Sequence, residues 1–272
     1  MAYSIENTVA LVTGGARGIG AGIVSTLAAA GAKVMIADIG VAAEHNHAED
    51  WRYALASSEE LSETLGLPGQ ISATHLDVTD ATSCQAAVDA THKQWGALDL
   101  LINNAGIVDS GAIETFEEDA WDRIFAVNTK GIFLMTRAAL PHLKASAQAA
   151  VVNTASIAGK KGYPTMSAYC GSKFAAIGIT QSLAGELAPF GIRVNAICPG
   201  MVGTAMWLDH LLPTNATSHD QKNEEFEKAM ANRIPLGRPQ TTEDMGEAVL
   251  YLVTSENVSG VSLNVAGGVE MN

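Results

Sequence analysis

A short apolar run, Val9–Thr13, leads directly into Gly14-Gly15-Ala16-Arg17-Gly18-Ile19-Gly20, and a helical pattern opens at Gly18. No other stretch constrains the chain as much. A strand that turns on glycines straight into a helix needs tight curvature with nothing projecting from the backbone. Standing alone, a glycine cluster is equally well a plain tight turn. Set between a strand and a helix, it leaves backbone N–H groups and the positive helix end facing outward, and such a place receives a phosphate or pyrophosphate.

The strand–helix alternation continues to the end of the chain. Apolar runs at Val9–Thr13, Lys33–Asp38, Ile71–Asp77, Leu98–Asn103, Ala150–Thr154, Arg193–Cys198 and Val261–Val265 read as strands. Helical patterns fill Gly18–Ala30, a piece near Ser57–Gly66, Ala81–Trp95, Phe116–Lys144, Ser167–Ala188 and Thr242–Thr254, the last capped by Thr241 or Thr242. Such alternation predicts an α/β fold: a seven-stranded parallel sheet, doubly wound, with helices on both faces and ligand at the carboxyl ends of the strands. One domain over 1–272 is expected, with a cofactor half to about residue 155 and a catalytic and substrate half beyond it.

Two stretches break the rhythm. Gly40 to Gly69 exceeds one helix and its loops; its His45 and His47, with Glu49 and Asp50, lack a further ligand at metal-site spacing, so a solvated insertion and no metal is expected. Ala205 to Arg233 begins with Trp207, Leu208, Leu211 and Leu212 and continues as a polar segment expected to be irregular and exposed.

Composition excludes several classes of partner. A net charge of −13 disfavours nucleic acid and anionic membrane, which both select for Lys/Arg excess. Cys84, Cys170 and Cys198 are widely spaced and read as buried reduced thiols. The N-terminus lacks a basic region leading into an apolar one, and no run approaches the ~20 apolar residues of a membrane span. A cytoplasmic protein is expected.

The second strand ends at Asp38, where the ribose nearest the glycine turn would lie. A carboxylate there accepts from ribose 2′ and 3′ hydroxyls and repels a 2′-phosphate. Ile39, Gly40 and Val41 supply no cation to offset it, so NAD rather than NADP is expected even with Arg17 in the loop. A strand-end turn residue is the plainer reading of Asp38. Further along, Tyr169-Cys-Gly-Ser-Lys173 sets a phenol and an ammonium one helical turn apart on one face. Tyrosine alone is a poor base, its pKa lying near ~10; a neighbouring ammonium favours the phenolate. Ser156 ends the fifth strand, where a hydroxyl can donate to a reacting oxygen.

Taken together, Thr13-Gly14-Gly15-Ala16-Arg17-Gly18-Ile19-Gly20, Asn103-Asn104-Ala105-Gly106, Ser156 and Tyr169-x-x-x-Lys173 fall in the order of the short-chain dehydrogenase/reductase family, which the chain resembles from about Thr8 onward. The resemblance implies a catalytic set of Asn128, Ser156, Tyr169 and Lys173. Tyr169 would be the acid/base, Lys173 would hold the nicotinamide ribose and lower the tyrosine pKa, and Asn128 would hold a water beside the lysine. A mid-helix asparagine carries a propensity cost that itself suggests a task. Cofactor contacts implied in the same way are Gly14, Arg17, Gly18, Ile19, Gly20, Asp38, Asp77 and Val78 at the adenine, Asn104, Ala105 and Gly106, then Pro199, Gly200, Val202 and Thr204 by the nicotinamide.

Gly200 to Trp207 looks most similar to the polyol and vicinal-diol members, with Met206 and Trp207 as a roof over a small pocket. Lys160 and Lys161 are weighed as an anion lure or an exposed pair. The expected activity is NAD-dependent oxidation of a small polyol, diol or cyclic alcohol. Alternatives are an NADPH-dependent ketone or 3-oxoacyl reductase, and a non-catalytic NAD(H)-binding scaffold or sensor. A homotetramer is expected from apolar residues on Phe116–Lys144 and Ser167–Ala188 and from the family's two-fold helix contacts.

Overall fold

The computed structural model describes residues 4–40, 69–211, 216 and 218–272. The helix expected near Ser57–Gly66 and the His45/His47 pair lie outside the described residues. Strands β1 (Val9–Thr13), β2 (Lys33–Asp38), β3 (Ile71–His75), β4 (Leu100–Asn103), β5 (Ala150–Thr154), β6 (Arg193–Pro199) and β7 (Ser262–Val265) form one sheet in the order β3-β2-β1-β4-β5-β6-β7. Every neighbouring pair is parallel. The order reverses between β1 and β4, which opens a crevice at the carboxyl edge beside the glycine turn.

Helices α1 (Gly18–Ala29) and α8 (Thr242–Thr254) cover one face, where Ile23, Leu27, Val249 and Leu252 pack on Val12, Ile36 and Ile102. The other face is covered by α2 (Ala81–Trp95), α4 (Gly131–Ala145) and α5 (Ser167–Leu187), with Val88, Met135 and Leu143 on Leu11, Leu101 and Val151. These strands are buried on both faces, hence their continuous apolar runs. The α1–α8 crossing is close because both helices carry glycine there. A Cβ on Gly22 would lie 2.5 Å from the Thr242 carbonyl oxygen, and one on Gly246 would strike Thr26 Oγ1. Helix α8 starts in a capping box: Thr241 Oγ1 accepts from Asp244 N at 3.1 Å, and Asp244 Oδ2 accepts from Thr241 N at 2.8 Å. Thr241, not Thr242, is therefore the cap.

Three sequence expectations change. Strand β3 stops at His75, two residues short of Asp77, because Asp77 turns the chain: its Oδ1 accepts from Thr79 N and Oγ1 at 2.8 and 2.7 Å. The single helix expected over Phe116–Lys144 is three pieces: α3 (Glu118–Phe125), a π-helical turn (Ala126–Lys130) and α4. The irregular stretch expected over Ala205 to Arg233 holds two helices, α6 (Ala205–His210) and α7 (His219–Ala231). Ser218 caps α7 by accepting from Gln221 N at 3.3 Å, and Phe226 and Met230 bury one face of it against Leu208 and Ile234. The largely polar composition of α7 hid that narrow apolar stripe. Among the described residues no helix is long and apolar enough to cross a membrane, and no group of three His, Cys, Asp or Glu is placed to hold a metal.

Candidate active site

A cavity of about 970 Å³ runs along the carboxyl edge of the sheet. From β2 to β5 that edge crosses three strand spacings, about 14 Å. Asp38 and Asp77 line one end, the glycine turn lies centrally, and Ser156, Tyr169 and Lys173 line the other side with Pro199, Gly200, Val202 and Thr204. Each residue named above as a cofactor contact lines this cavity; Asn128 lies buried beneath it.

The glycine turn is held open by its neighbours. Gly14 has φ +63°, and a Cβ there would lie 2.9 Å from Ala105 Cα. Thr13 Oγ1 accepts from Asn104 N and Ala105 N at 2.9 and 3.0 Å. The Asn104 amide donates back to the Thr13 and Gly14 carbonyls, both at 3.1 Å. A Cβ on Gly20 would collide with the Gly14 carbonyl. At the start of α1, Arg17 makes no side-chain cap and the first turn carries no acidic residue. The helix end therefore offers bare N–H groups and uncompensated positive potential, which fits a pyrophosphate.

Asp38 is nearly buried, at 6% exposure, and is fixed across the turn: Oδ2 accepts from Ala16 N and Oδ1 from Gly40 N, both at 3.1 Å. Asp77 also lines this end. Its Oδ1 is engaged by Thr79, which leaves only Oδ2 for an adenine amino group.

At the opposite end, the 3₁₀ turn Ile157–Gly159 after β5 holds Ser156 at its N-cap, with Ser156 Oγ accepting from Ala158 N at 3.1 Å. That bond leaves the hydroxyl proton to be given elsewhere. Tyr169 and Lys173 project from the first turns of α5. Lys173 Nζ donates to the Thr154 carbonyl at 2.8 Å and lies 5.7 Å from the Tyr169 ring centre. Asn128 sits in the π turn. Its Oδ1 accepts from Ile107 N, and its Nδ2 donates to Ile107 O and Ser172 Oγ, at 2.9, 2.9 and 3.0 Å. The amide thus braces the β4 loop and α5 and does not bond the ammonium directly. A Cβ on Gly106 would sit 3.4 Å from both Asn128 Oδ1 and Lys173 Nζ, so glycine keeps the space between them open.

Burial overturns one electrostatic expectation. Sequence spacing predicts a tyrosine pKa lowered by Lys173, yet burial pushes the Tyr169 phenol up to about 12, with a Ser156 hydrogen bond pulling only weakly the other way. Burial likewise pushes Lys173 down to about 8. Both charged forms are costly in a dry site until an added charge compensates them. Cys84, Cys170 and Cys198 are buried, and burial raises Cys84 and Cys198 to about 11, which leaves those two thiols inert.

Beyond Ser156, Tyr169 and Lys173 the cavity is walled by Val108, Met166, Met201, Met206, Trp207 and Leu211, with Tyr163 and Arg233 as polar edges. Trp207 rests against the Phe226 ring, centres 5.8 Å apart, so α7 props the roof. Tyr163, Met166 and Arg233 escaped the sequence reading, since only the fold brings them to the cavity. Thr165, also in the wall, has φ +64°, rare for a β-branched residue, and its carbonyl accepts from Gly111 N at 2.8 Å. Lys160 does not reach the cavity; its Nζ donates to the Ser262 carbonyl at 3.1 Å.

Comparison with known proteins agrees with this geometry. The family model for short chain dehydrogenase matches residues 8–211. The chain is 34% identical over 98% of both sequences to 2-(S)-hydroxypropyl-CoM dehydrogenase 3 of Xanthobacter autotrophicus. It is 36% identical to galactitol 2-dehydrogenase of Agrobacterium fabrum, covering 97% of this chain and 98% of that one. Among solved structures, 3-ketoacyl-(acyl-carrier-protein) reductase from Brucella melitensis complexed with NADH superposes with a TM-score of 0.82 at 30% identity, over 98% of this chain and all of that one. By this family match and these relatives, the chain is an oxidoreductase of the short-chain dehydrogenase family.

Proposed function

We propose that the protein oxidises a small secondary alcohol with NAD, through Tyr169. The observation that carries this reading is the buried triad of Ser156, Tyr169 and Lys173 lining the same crevice as Asp38. Bound NAD would supply the hydride acceptor, held by the Gly14–Gly20 turn at its phosphates, by Asp38 at one ribose and by Lys173 at the other. Ser156 donates its hydroxyl proton to the substrate oxygen in place of its hydrogen bond to Tyr169. Tyr169 takes the alcohol proton as the carbonyl forms, and in the reverse direction returns it. The positive charge of bound oxidised nicotinamide would favour the Tyr169 phenolate against its burial, and Asn128 fixes the loop and helix that carry these groups. The apolar walls exclude water and suit a compact carbon skeleton.

NAD is preferred over NADP because the Asp38 carboxylate is pinned by two backbone N–H groups and cannot swing away from a 2′-phosphate. A polyol, diol or cyclic alcohol fits the cavity and the kinship with dehydrogenases named for galactitol and hydroxypropyl substrates. In assembly, half-exposed Phe133 on α4 and Phe174 on α5, and Tyr251 on α8 with Met271 in the tail, supply two apolar faces for a homotetramer of cytoplasmic type.

The test is a panel of secondary alcohols with NAD or NADP, followed by absorbance of the reduced cofactor. Turnover with NAD on small polyols, diols or cyclic alcohols is expected. No turnover of any alcohol or ketone while NAD still binds would favour a scaffold instead.

A further inference from the structure

The substrate end of the cavity has an unused cation. Arg233 follows α7 and lines the cavity beside Trp207 and Leu211. Its side chain makes no ion pair or hydrogen bond among the described residues, and its surroundings are exposed. Among the described residues, the other cations in the lining are Arg17, at the glycine turn, and Lys173, which is bonded to Thr154, and the carboxylates are Asp38 and Asp77, both at the far end. Glu225 and Lys228 line an adjoining surface hollow that shares Trp207, Leu211 and Arg233 with the cavity, and they do not line the cavity itself.

In a chain with 29 acids against 16 bases, a substrate wall whose described residues hold an arginine and no acid departs from the average balance of charge. Met201, Met206, Trp207 and Leu211 line the same cavity as Arg233 and the Ser156, Tyr169 and Lys173 group. A cation near a helix C-terminus has a structural use in meeting the negative helix end, but that use does not require it to face the cavity.

Resting on the dehydrogenase reading above, we propose that Arg233 is the anion receptor of the substrate site. The preferred substrate is then a hydroxy acid: a secondary alcohol whose carboxylate is separated from the carbinol by an apolar spacer. The guanidinium fork matches a carboxylate edge, and the methionine and tryptophan wall matches the spacer.

The experiment compares kcat/KM for methyl carbinols bearing a terminal carboxylate on chains of increasing length, each beside its methyl ester, with butane-2,3-diol as the uncharged reference. Wild type is expected to favour one acid over its ester by roughly ten- to a hundred-fold, the range of a charge-assisted hydrogen bond. In Arg233→Met that ratio should fall to about one, with the loss mainly in KM, and Arg233→Lys should restore part of it. A sulfonate analogue separates general anion binding from carboxylate recognition: equal preference would overturn the carboxylate assignment. Binding of the matching acid that lacks the hydroxyl is measured in parallel, from protein fluorescence in the presence of NADH. Turnover of esters and diol with no acid preference, or a ratio unmoved in Arg233→Met, would overturn the role of Arg233 and leave the dehydrogenase reading standing. Arginine-dependent acid binding with no alcohol turned over would do the reverse.

Discussion

Replacing Asp38 with asparagine should expose the origin of cofactor choice. The side chain keeps its shape and loses its charge. Because both carboxylate oxygens now accept from backbone N–H groups, at Ala16 and Gly40, an asparagine satisfies only one of them. At an effective dielectric of about 20, unit charges about 5 Å apart repel by about 3 kcal/mol, and a ribose 2′-phosphate carries more than one unit. Counterions and partial exposure reduce that figure. Wild type should therefore favour NAD over NADP by roughly 10²–10³ in kcat/KM with one alcohol, since each 1.4 kcal/mol is tenfold. Asp38→Asn should shrink the ratio by about 10², about tenfold through a gain with NADP and about tenfold through weaker ribose contacts with NAD. Asp38→Ala should narrow the gap similarly but loosen the glycine turn further. The assay is initial rates at fixed ionic strength with each cofactor, repeated at high salt, where the wild-type gap should contract. A wild type that prefers NADP, or a ratio unchanged in Asp38→Asn, would refute the repulsion argument and point to Arg17 as the deciding residue.

Tyr169→Phe should retain cofactor binding by fluorescence titration and lose at least about 10³ in kcat, because the ring packing survives and the transferable proton does not; turnover within tenfold of wild type would sink the mechanism. Stability of the cofactor-free protein should rise with pH from about 8 to about 10.5, because Lys173 sheds its proton in the folded state before the unfolded chain does. It should then fall between about 10 and about 12, where folded Tyr169 still holds a proton that the unfolded chain has released. Each group contributes a slope of up to about 1.4 kcal/mol per pH unit, and Lys173→Met should abolish the first rise in a denaturant titration series. Sedimentation at micromolar concentration should give a tetramer, and Phe133→Glu with Phe174→Glu should reduce it to smaller species; a monomeric wild type contradicts the assembly alone.

The sheet and the glycine turn at its carboxyl edge were readable because their residues are local. Gly14 to Gly20 is contiguous, Asp38 closes a strand, and Tyr169 and Lys173 are one turn apart. Features assembled from distant segments were not. Helix α7 shows only Phe226 and Met230 as an apolar stripe in a polar run, so its role in propping Trp207 emerges only from packing. Arg233 and Tyr163 become neighbours of the catalytic groups through loops whose course the sequence does not specify. The tyrosine pKa went astray for a related reason: spacing identifies a nearby ammonium, whereas the amount of water removed around both groups is a property of the whole fold.

The π turn at Ala126–Lys130 bears on how the protein tolerates change in chain length. A π turn is an α-helix that has absorbed one surplus residue. Deleting a residue there should let α3 and α4 join as one regular helix, with Ile124 and Met135 still able to reach their present cores. Such a shortened protein should fold as well as its parent, or better, and yet fail in turnover, because the Asn128 amide would rotate away from Ile107 and Ser172. At this point in the chain folding and chemistry ask for different lengths, and a gap in the sequence of some relative here would mark a protein that has kept the fold and given up the reaction.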